Sequence, residues 1–212
     1  MLIKDTAEAK KVIDTGKVPL IVDPDGASIT ALKPDVVVDA ILAKKNFGTN
    51  RSMAPLTVGL GPGFTAGVDV DIVIETMRGH NLGRIIREGS AIPNTGIPGN
   101  IGGYTAERVI HAGAEGILYN VHKIGDIVEQ GEEIAYIADE KENRRYSVTA
   151  TIPGIIRGLI RDGYPATKGF KIADIDPRKS ELSNCFTISD KARCIAGSVL
   201  EVVCAFGSNI LS

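Results

Sequence analysis

Residues 114–137 and residues 152–175 carry the same pattern and align without a gap at an offset of 38 residues. In each copy an apolar strand leads to a glycine turn, a short strand, a second glycine turn and a third strand with alternating apolar residues. A repeat of this length predicts two copies of one supersecondary unit. The coincident positions are Gly116, Ile117, Gly125, Gly131, Ile134, Ala135 and Ile137 in the first copy, and Gly154, Ile155, Gly163, Gly169, Ile172, Ala173 and Ile175 in the second.

Neither half of this repeat can bury its own apolar face, so we expect the halves to pack together as a small flattened β-barrel with quasi-twofold symmetry. The pattern resembles the biotinyl and lipoyl carrier domains, whose shape is the barrel-sandwich hybrid. In those carriers the modified lysine lies in a tight hairpin between the halves. The corresponding stretch here, 139–145, is longer and dense with charge. We therefore predict a solvated hairpin, with lipoyl or biotinyl attachment at Lys141 as the alternative.

The charge of the chain excludes several classes of partner. The 212 residues carry a formal net charge of −2 with acids and bases mixed, which argues against a surface for nucleic acid or anionic membranes. No apolar run reaches the length of a membrane span, and the first residues lack an apolar signal core. A cytoplasmic protein is the expectation. The three cysteines have no C-x-x-C spacing and the three histidines are dispersed, so neither a disulfide framework nor a metal site is indicated.

The first half of the chain has the pattern of an incomplete α/β sheet. A capping box at Asp5 and Glu8 predicts a helix over 5–16. Apolar runs at 18–22, 34–42, 56–60 and 71–75 predict buried strands, parallel at least in part because they are rich in β-branched residues. Too few helices separate them for a complete Rossmann-like unit. A final helix should run through Cys204, with Cys194 and Cys204 in the core.

The predicted division is therefore a partial α/β domain with glycine-rich loops over 1–110, a barrel-sandwich-like β domain over 111–178, and a C-terminal helical segment over 179–212. The fold class is α/β plus β.

Glycine is concentrated between residues 59 and 103, which include 11 glycines. So much glycine indicates unusual backbone conformations or close approach to a ligand. Gly61 and Gly63 follow a strand, and the amides of such a loop can converge on an anion. A strained tight turn explains them equally well, and no Walker A lysine follows.

Arg78, His80 and Arg84 lie within the next strand end and its loop. Two guanidinium groups could clamp a carboxylate or phosphate while the imidazole moves a proton, which makes His80 a catalytic candidate. The competing interpretation is an ion-paired loop. Asn94, in a second glycine and proline turn, could supply an oriented amide.

Two further sites are weaker. Asp69 and Asp71 alternate and could share a hard cation, although solvated acids are the preferred interpretation. Cys185 lies in a polar stretch before the final helix and is the thiol to test for reactivity, although an unreactive thiol is the favoured interpretation.

Several long strings together resemble the YqeB family of accessory proteins for selenium-dependent molybdenum hydroxylases. The resemblance runs from about residue 8 to residue 206. The strings are PDVVVDAILAKKN, APLTVGLGPGFTAGVDVD, VIETMRGHNLGR, PNTGIPGNIGGYTAERV, KGFKIADIDPR and CFTISDKARCIAGSVLE.

This resemblance implies a role in maturing molybdenum hydroxylases of the xanthine or purine dehydrogenase type. It also implies a small anionic ligand such as molybdopterin, a nucleotide or a selenium donor. Longer family members begin with a Rossmann-type strand and glycine turn, and this chain starts after it, so no nucleotide fingerprint can be assigned to its residues. We expect either a piece of a longer protein or a short form whose open sheet edge pairs with another chain, as in a homo-oligomer.

Three functions follow as hypotheses. The first is the accessory role, with Gly61, Gly63, Arg78, His80, Arg84 and Asn94 at the ligand. The second is an enzyme acting on selenium or on the molybdenum centre through Cys185 or His80. The third is a carrier or an interaction module built on the repeat.

Overall fold

A computed structural model describes residues 1–96, 99–139 and 143–208. The protein is a mixed α/β structure with several sheets and a long C-terminal helix. Contacts group the residues into two compact units, Met1–Asn94 with Asp190–Ser212, and Thr95–Ser189. The predicted C-terminal segment 179–212 is therefore divided between the two units. No helix in the described part of the chain is long and apolar enough to cross a membrane.

The N-terminal helix forms as its capping box predicts, but it is shorter than expected. A 3₁₀ turn, Thr6–Glu8, leads into α1, Ala9–Ile13. The Asp5 carboxylate accepts a hydrogen bond from the Ala7 amide, and the Glu8 carboxylate accepts one from the Asp5 amide. A second helix, α2, spans Ala27–Leu32.

The predicted strand at 18–22 is wrong. The segment makes a single isolated bridge, between Leu2 and Leu20, and Val18 and Val22 are 81% and 83% exposed. Leu20 is exposed as well, and Ile21 packs against the cluster of Ile3, Ala9 and Val12. Composition alone therefore does not make this run a strand.

The first unit is built on a four-stranded sheet with the order β1-β2-β4-β5. Strands β1, β2 and β4 are parallel and β5 is antiparallel to β4, while β3 and β6 form a separate pair. The strands span Val36–Asp39 (β1), Leu56–Leu60 (β2), Thr65–Ala66 (β3), Ile72–Ile74 (β4), Ile85–Ile86 (β5) and Gly89–Ser90 (β6).

The C-terminal helix, α3, spans Asp190–Gly207 and covers one face of this sheet. Ile195 and Val202 are buried against Leu60 and Ile74. The predicted burial of Cys194 and Cys204 is wrong, since both are exposed. With 3.6 residues per turn, Cys194 lies beside the stripe that faces the sheet and Cys204 lies on the opposite face of the helix.

The second unit contains two four-stranded sheets, with the orders β11-β10-β8-β13 and β7-β14-β12-β9. Two 3₁₀ segments, Ala106–Arg108 and Lys179–Phe186, flank them. The strands span Val109–His111 (β7), Gly116–Asn120 (β8), Ile127–Val128 (β9), Glu133–Asp139 (β10), Arg144–Thr149 (β11), Gly154–Leu159 (β12), Tyr164–Ala166 (β13) and Lys171–Asp176 (β14).

The repeat has the predicted strand–turn–strand–turn–strand order in both copies, and the copies exchange their middle strands. The short strand of each copy pairs with the first strand of the other, β13 with β8 and β9 with β12. The amide of Gly125 donates to the carbonyl of Ile156, and the amide of Gly163 donates to that of Leu118, each at 2.8 Å. One apolar cluster joins both sheets, so neither copy has a core of its own.

Candidate functional site

The carboxyl ends of the parallel strands β1, β2 and β4 lie at one edge of the first unit's sheet. We call the loops that follow them, residues 40–45, 61–63 and 75–78, together with the start of α3, the carboxyl edge. Open parallel sheets bind their ligands at this end of the strands. The carboxyl edge contains three of the six predicted ligand-binding residues, Gly61, Gly63 and Arg78.

The glycines of this edge pack loops together. The Gly61 amide donates to the Ile74 carbonyl at 2.8 Å, so this amide does not point at an anion. A Cβ atom at Gly61 would lie 2.5 Å from the Thr76 hydroxyl oxygen, and one at Gly63 would lie 2.6 Å from the Lys45 Cα. Both glycines also have positive φ, +83° and +109°. Glycine at these positions brings the three loops into contact, which agrees with the tight-turn interpretation.

Glu75 fixes the last of these loops. Its carboxylate is buried and accepts hydrogen bonds from the amides of Thr76 at 2.8 Å, Met77 at 2.7 Å and Ile92 at 2.8 Å. These three amides supply the hydrogen bonds that the buried carboxylate cannot obtain from water. Glu75 is therefore a structural anchor for the chain on either side of β5.

Arg78 is bound to the start of α3. Its guanidinium donates to both carboxylate oxygens of Asp190, at 2.8 and 3.1 Å. Hydrogen bonds from Arg78 and from the Lys191 amide hold the pKa of Asp190 well below its usual range. The ion pair is exposed, so its contribution to stability is small, but it positions the Arg78 side chain.

Lys191 brings a second positive charge to the carboxyl edge. Its side chain is partly buried, and its pKa is lowered first by this burial and then by the nearby charges of Arg78 and Lys44, with Glu75 acting in the opposite direction. Lys44 has a left-handed backbone, φ +66°, and its ammonium donates to the Leu42 carbonyl at 2.8 Å. Two cations from distant parts of the sequence, Lys44 and Arg78, are therefore close enough to Lys191 to lower its pKa.

Sequence reasoning missed Lys44 and Lys191. Lys44 could have been found, because it follows a predicted parallel strand on the side where ligands bind. Lys191 gives no local signal, since a lysine in the first turn of a helix is usually a solvated residue.

The other predicted ligand-binding residues lie on exposed stretches. His80 and Arg84 are exposed, and Arg84 contributes through its main chain, whose carbonyl accepts from the Glu75 amide at 3.0 Å. Asn94 is exposed at the end of the first unit's main segment.

Asp69 and Asp71 have protein donors as partners. The strand β4 begins at Ile72, so these acids precede it, and the premise that they alternate along a strand is wrong. Asp71 accepts from the Thr57 amide and hydroxyl and from Arg51, and these hydrogen bonds outweigh burial, so that its pKa is lowered. Asp69 accepts from the Thr65 amide at 2.9 Å. Within 1–96, 99–139 and 143–208, no group of three or more acids, histidines or cysteines could hold a metal ion.

Cys185 lies in the 3₁₀ segment Lys179–Phe186 and is partly buried. Burial raises the pKa of its thiol, the charge of Asp176 adds to this, and Arg157 opposes it. A raised pKa lowers the thiolate fraction, so this environment favours an unreactive thiol. Lys141, the alternative carrier residue, lies outside the described residues.

A polar cluster around His122 in the second unit was not predicted from the sequence. His122 contacts Asp126 through Nδ1 at 3.2 Å and Glu132 through Nε2 at 3.1 Å. The equivalent positions of the second copy are Ile160, Tyr164 and Phe170, which pack on the apolar cluster. The repeat thus has a polar end in one copy and an apolar end in the other.

A shallow cleft of about 760 Å³ lies elsewhere on the first unit, at the amino ends of β1 and β2. It is lined by α2 and by residues around Pro34 and Pro55. None of the predicted site residues lines it.

No protein-family model matches the chain. The chain is 50% identical over 202 residues to "Uncharacterized protein YqeB" from Escherichia coli K12. The match covers 95% of this chain and 36% of that protein, so the chain spans about a third of the length of this relative. The similarity supports the YqeB family, to which the sequence motifs point.

Two solved enzymes share limited structural similarity. A succinylglutamatedesuccinylase/aspartoacylase from Rhodobacter sphaeroides has 21% identity and a TM-score of 0.31, covering 33% of this chain and 22% of that one. The ectoine utilization protein EutE (DoeB) from Ruegeria pomeroyi, in its product-bound form, has 13% identity and a TM-score of 0.29, covering 44% of this chain and 28% of that one. Scores of this size do not establish a common fold.

Proposed function

We propose that this chain is an accessory protein in the maturation of selenium-dependent molybdenum hydroxylases, and that it binds a small anionic ligand at its carboxyl edge. The observation that carries the ligand-binding part is the convergence of Lys44, Arg78 and Lys191 on that edge. The 50% identity to a YqeB protein supports the family, and the maturation role is what the resemblance of the sequence motifs to that family implies. The proposed partner is a hydroxylase of the xanthine or purine dehydrogenase type in the cytoplasm.

The electrostatics of the carboxyl edge favour an anion. Like charges raise the free energy of a site unless counter-ions or a ligand neutralise them, and partial burial of Lys191 removes some of the water that would screen it. An anion at this edge would lower that free energy. Molybdopterin, a nucleotide and a selenium donor such as selenophosphate all present oxyanions, so each fits the chemistry of the edge.

The architecture is part of the proposal. Three parallel strands with a covering helix on one face support a partial Rossmann-like sheet in the first unit. The strand exchange between two copies of a β repeat supports a barrel-sandwich hybrid in the second. In this arrangement the repeat is a rigid scaffold, and the ligand binds to the first unit.

Maturation can be tested in a host that produces a selenium-dependent molybdenum hydroxylase but lacks its own accessory protein of this family. Expression of the chain should raise both the specific activity of the purified hydroxylase and its selenium content. Replacing both cations, Arg78→Ala with Lys191→Ala, should abolish most of this gain, while Lys11→Ala, at an exposed position of α1, should retain it. Unchanged maturation by the folded double variant would refute ligand binding at the carboxyl edge as the basis of the role.

The enzyme alternative depends on a reactive side chain. A Cys185→Ser variant with full maturation activity would exclude its thiol version, and a His80→Gln variant would test the imidazole version in the same host.

A further inference from the structure

We infer that the carboxyl edge binds a doubly charged, phosphate-type oxyanion, with Lys44 and Lys191 as its direct ligands and Arg78 held beside them. This inference rests on the proposed anion-binding function and specifies the class of ligand. Neither lysine was expected from the sequence to take part in a site.

The two lysines are brought together by packing. Gly63 lies against the backbone of Lys45, which holds the loop containing Lys44 to the loop after β2. Gly61 lies against Thr76, which holds that second loop to the one containing Arg78. The ion pair of Arg78 with Asp190 then joins the third loop to the helix turn that contains Lys191. Each step is a direct contact between described residues.

The balance of charge indicates how many negative charges the ligand should have. Asp190 neutralises Arg78 by accepting two hydrogen bonds from it. Glu75 is close enough to affect Lys191 and keeps its negative charge, while its two oxygens accept hydrogen bonds from three backbone amides. Lys45 is turned toward the ring of Phe47, with its ammonium 4.6 Å from the ring centre. The carboxyl edge thus carries four positive charges, on Lys44, Lys45, Arg78 and Lys191, and two negative charges, on Glu75 and Asp190. The net charge of +2 is matched better by a dianion than by a single carboxylate.

The backbone around Lys44 supports a binding role. Leu42 and Lys44 both have left-handed conformations, with φ of +59° and +66°. Such conformations are unfavourable for leucine and lysine, and they tend to occur where a side chain must be held for function. Lys44 lies in the loop whose backbone contacts Gly63, and its charge lowers the pKa of Lys191.

Protonation of Lys191 supplies a second observable. Burial and the two neighbouring cations disfavour its charged form. A bound dianion favours the charged form, so ligand binding at alkaline pH should be accompanied by proton uptake. A carboxylate bound elsewhere on the surface would not produce this effect.

The test is isothermal titration of the full chain with inorganic phosphate, and with acetate as the monoanionic control, at low ionic strength. We expect phosphate to bind at least about tenfold more tightly than acetate. Lys191→Gln and Lys44→Asn should each weaken phosphate binding about tenfold, while Lys11→Ala should leave it unchanged. Asparagine tolerates a left-handed backbone, so the second variant removes the charge without changing the loop. Titrations at pH 9 in buffers of different ionisation enthalpy should show proton uptake that Lys191→Gln abolishes.

Equal affinity for phosphate and acetate, or lysine variants that bind phosphate as the wild type does, would overturn the inference. Amide NMR spectra of each variant establish that a loss of binding occurs in a folded chain. The outcome is distinguishable from failure of the proposed function. Phosphate binding without any effect on hydroxylase maturation refutes the maturation role alone, while maturation that depends on Arg78 without phosphate binding refutes the ligand class alone.

Discussion

Gly116 and Gly154 hold the same place in the two copies of the repeat, each against the carbonyl oxygen of a facing strand residue. A Cβ atom at Gly116 would collide with the Ala138 oxygen, and one at Gly154 with the Asp176 oxygen. The two pairs are related by the same offset of 38 residues as the rest of the repeat. Glycine here is required by the approach of two backbones at the start of the strands β8 and β12.

Alanine at either glycine should therefore destabilise the second unit. We expect Gly116→Ala and Gly154→Ala each to lower the free energy of unfolding by about 2 to 3 kcal/mol, because a backbone carbonyl cannot move aside as a side chain can. All five tyrosines lie in this unit, so urea unfolding followed by tyrosine fluorescence reports on it selectively. Gly113→Ala is the matched control, since a Cβ at Gly113 meets nothing within 4 Å. Equal stability of all three variants would contradict the collision.

The buried carboxylate of Asp176 should determine the acid stability of the same unit. Asp176 is 1% exposed and accepts hydrogen bonds from Arg178, at 2.9 and 2.7 Å, and from Arg157 at 2.6 Å. The Arg178 hydrogen bond is the largest of several effects that hold its pKa well below the usual range. A depressed pKa stabilises the folded state above the unfolded pKa of about 3.9, and this stabilisation is lost as the pH falls toward the folded value.

We therefore expect Asp176→Asn to lower the free energy of unfolding at pH 7 by about 3 to 5 kcal/mol, because it removes the buried negative charge that Arg157 and Arg178 contact. The variant should also lose much of the decline in stability that the wild type shows below about pH 4. Urea unfolding between pH 3 and pH 7 measures both effects. Glu115→Gln, at an exposed position, should behave as the wild type. A parallel decline in Asp176→Asn and wild type would show that other carboxylates control acid unfolding.

Glu75→Gln should loosen the carboxyl edge. The glutamine NH₂ group would face a backbone amide that now donates to a carboxylate oxygen, at a cost of about 2 to 3 kcal/mol. Amide hydrogen exchange should accelerate at Thr76, Met77 and Ile92, whose amides donate to Glu75. Glu88→Gln, an exposed neighbour, should leave these three rates unchanged. Unchanged exchange in Glu75→Gln would mean that the carboxylate does not anchor these loops.

The three thiols should differ in their rate of alkylation. Cys194 and Cys204 are exposed, while Cys185 is partly buried with a raised pKa. At pH 8, iodoacetamide should therefore label Cys185 last, since the thiolate is the reactive form. Peptide mass spectrometry of timed samples measures the order, and urea-unfolded chain, in which the three rates should converge, is the control. Preferential labelling of Cys185 in the folded chain would revive the enzyme alternative.

Local sequence patterns predicted much of this structure. The glycine spacing of the repeat gave the strand order of both copies, and the Asp5 and Glu8 spacing gave the capping box. The parallel pairing of β1 with β2 followed from their β-branched residues. Each of these signals acts over a few residues, through dihedral preferences and side-chain direction, so each can be recognised without knowledge of the partner strands.

The errors have a common origin. The segment 18–22 has strand composition but makes a single isolated bridge, and Cys194 and Cys204 lie on an apolar helix but outside its buried stripe. In both cases the local pattern was typical of a buried element, but packing with distant residues decided the burial.

The sequence by itself determined the two copies of the β repeat, the parallel strands and the final helix. The periods of strands and helices can be recognised from the order of apolar and polar residues along a short segment. The sequence also showed that the glycine-rich stretch needs unusual backbone. Only the tertiary structure decided that the copies exchange their middle strands, that Arg78 pairs with Asp190, and that Lys44 and Lys191 lie near each other. Interactions between charges depend on distance in space, and the loops after β1, β2 and β4 meet α3 only when the sheet has formed.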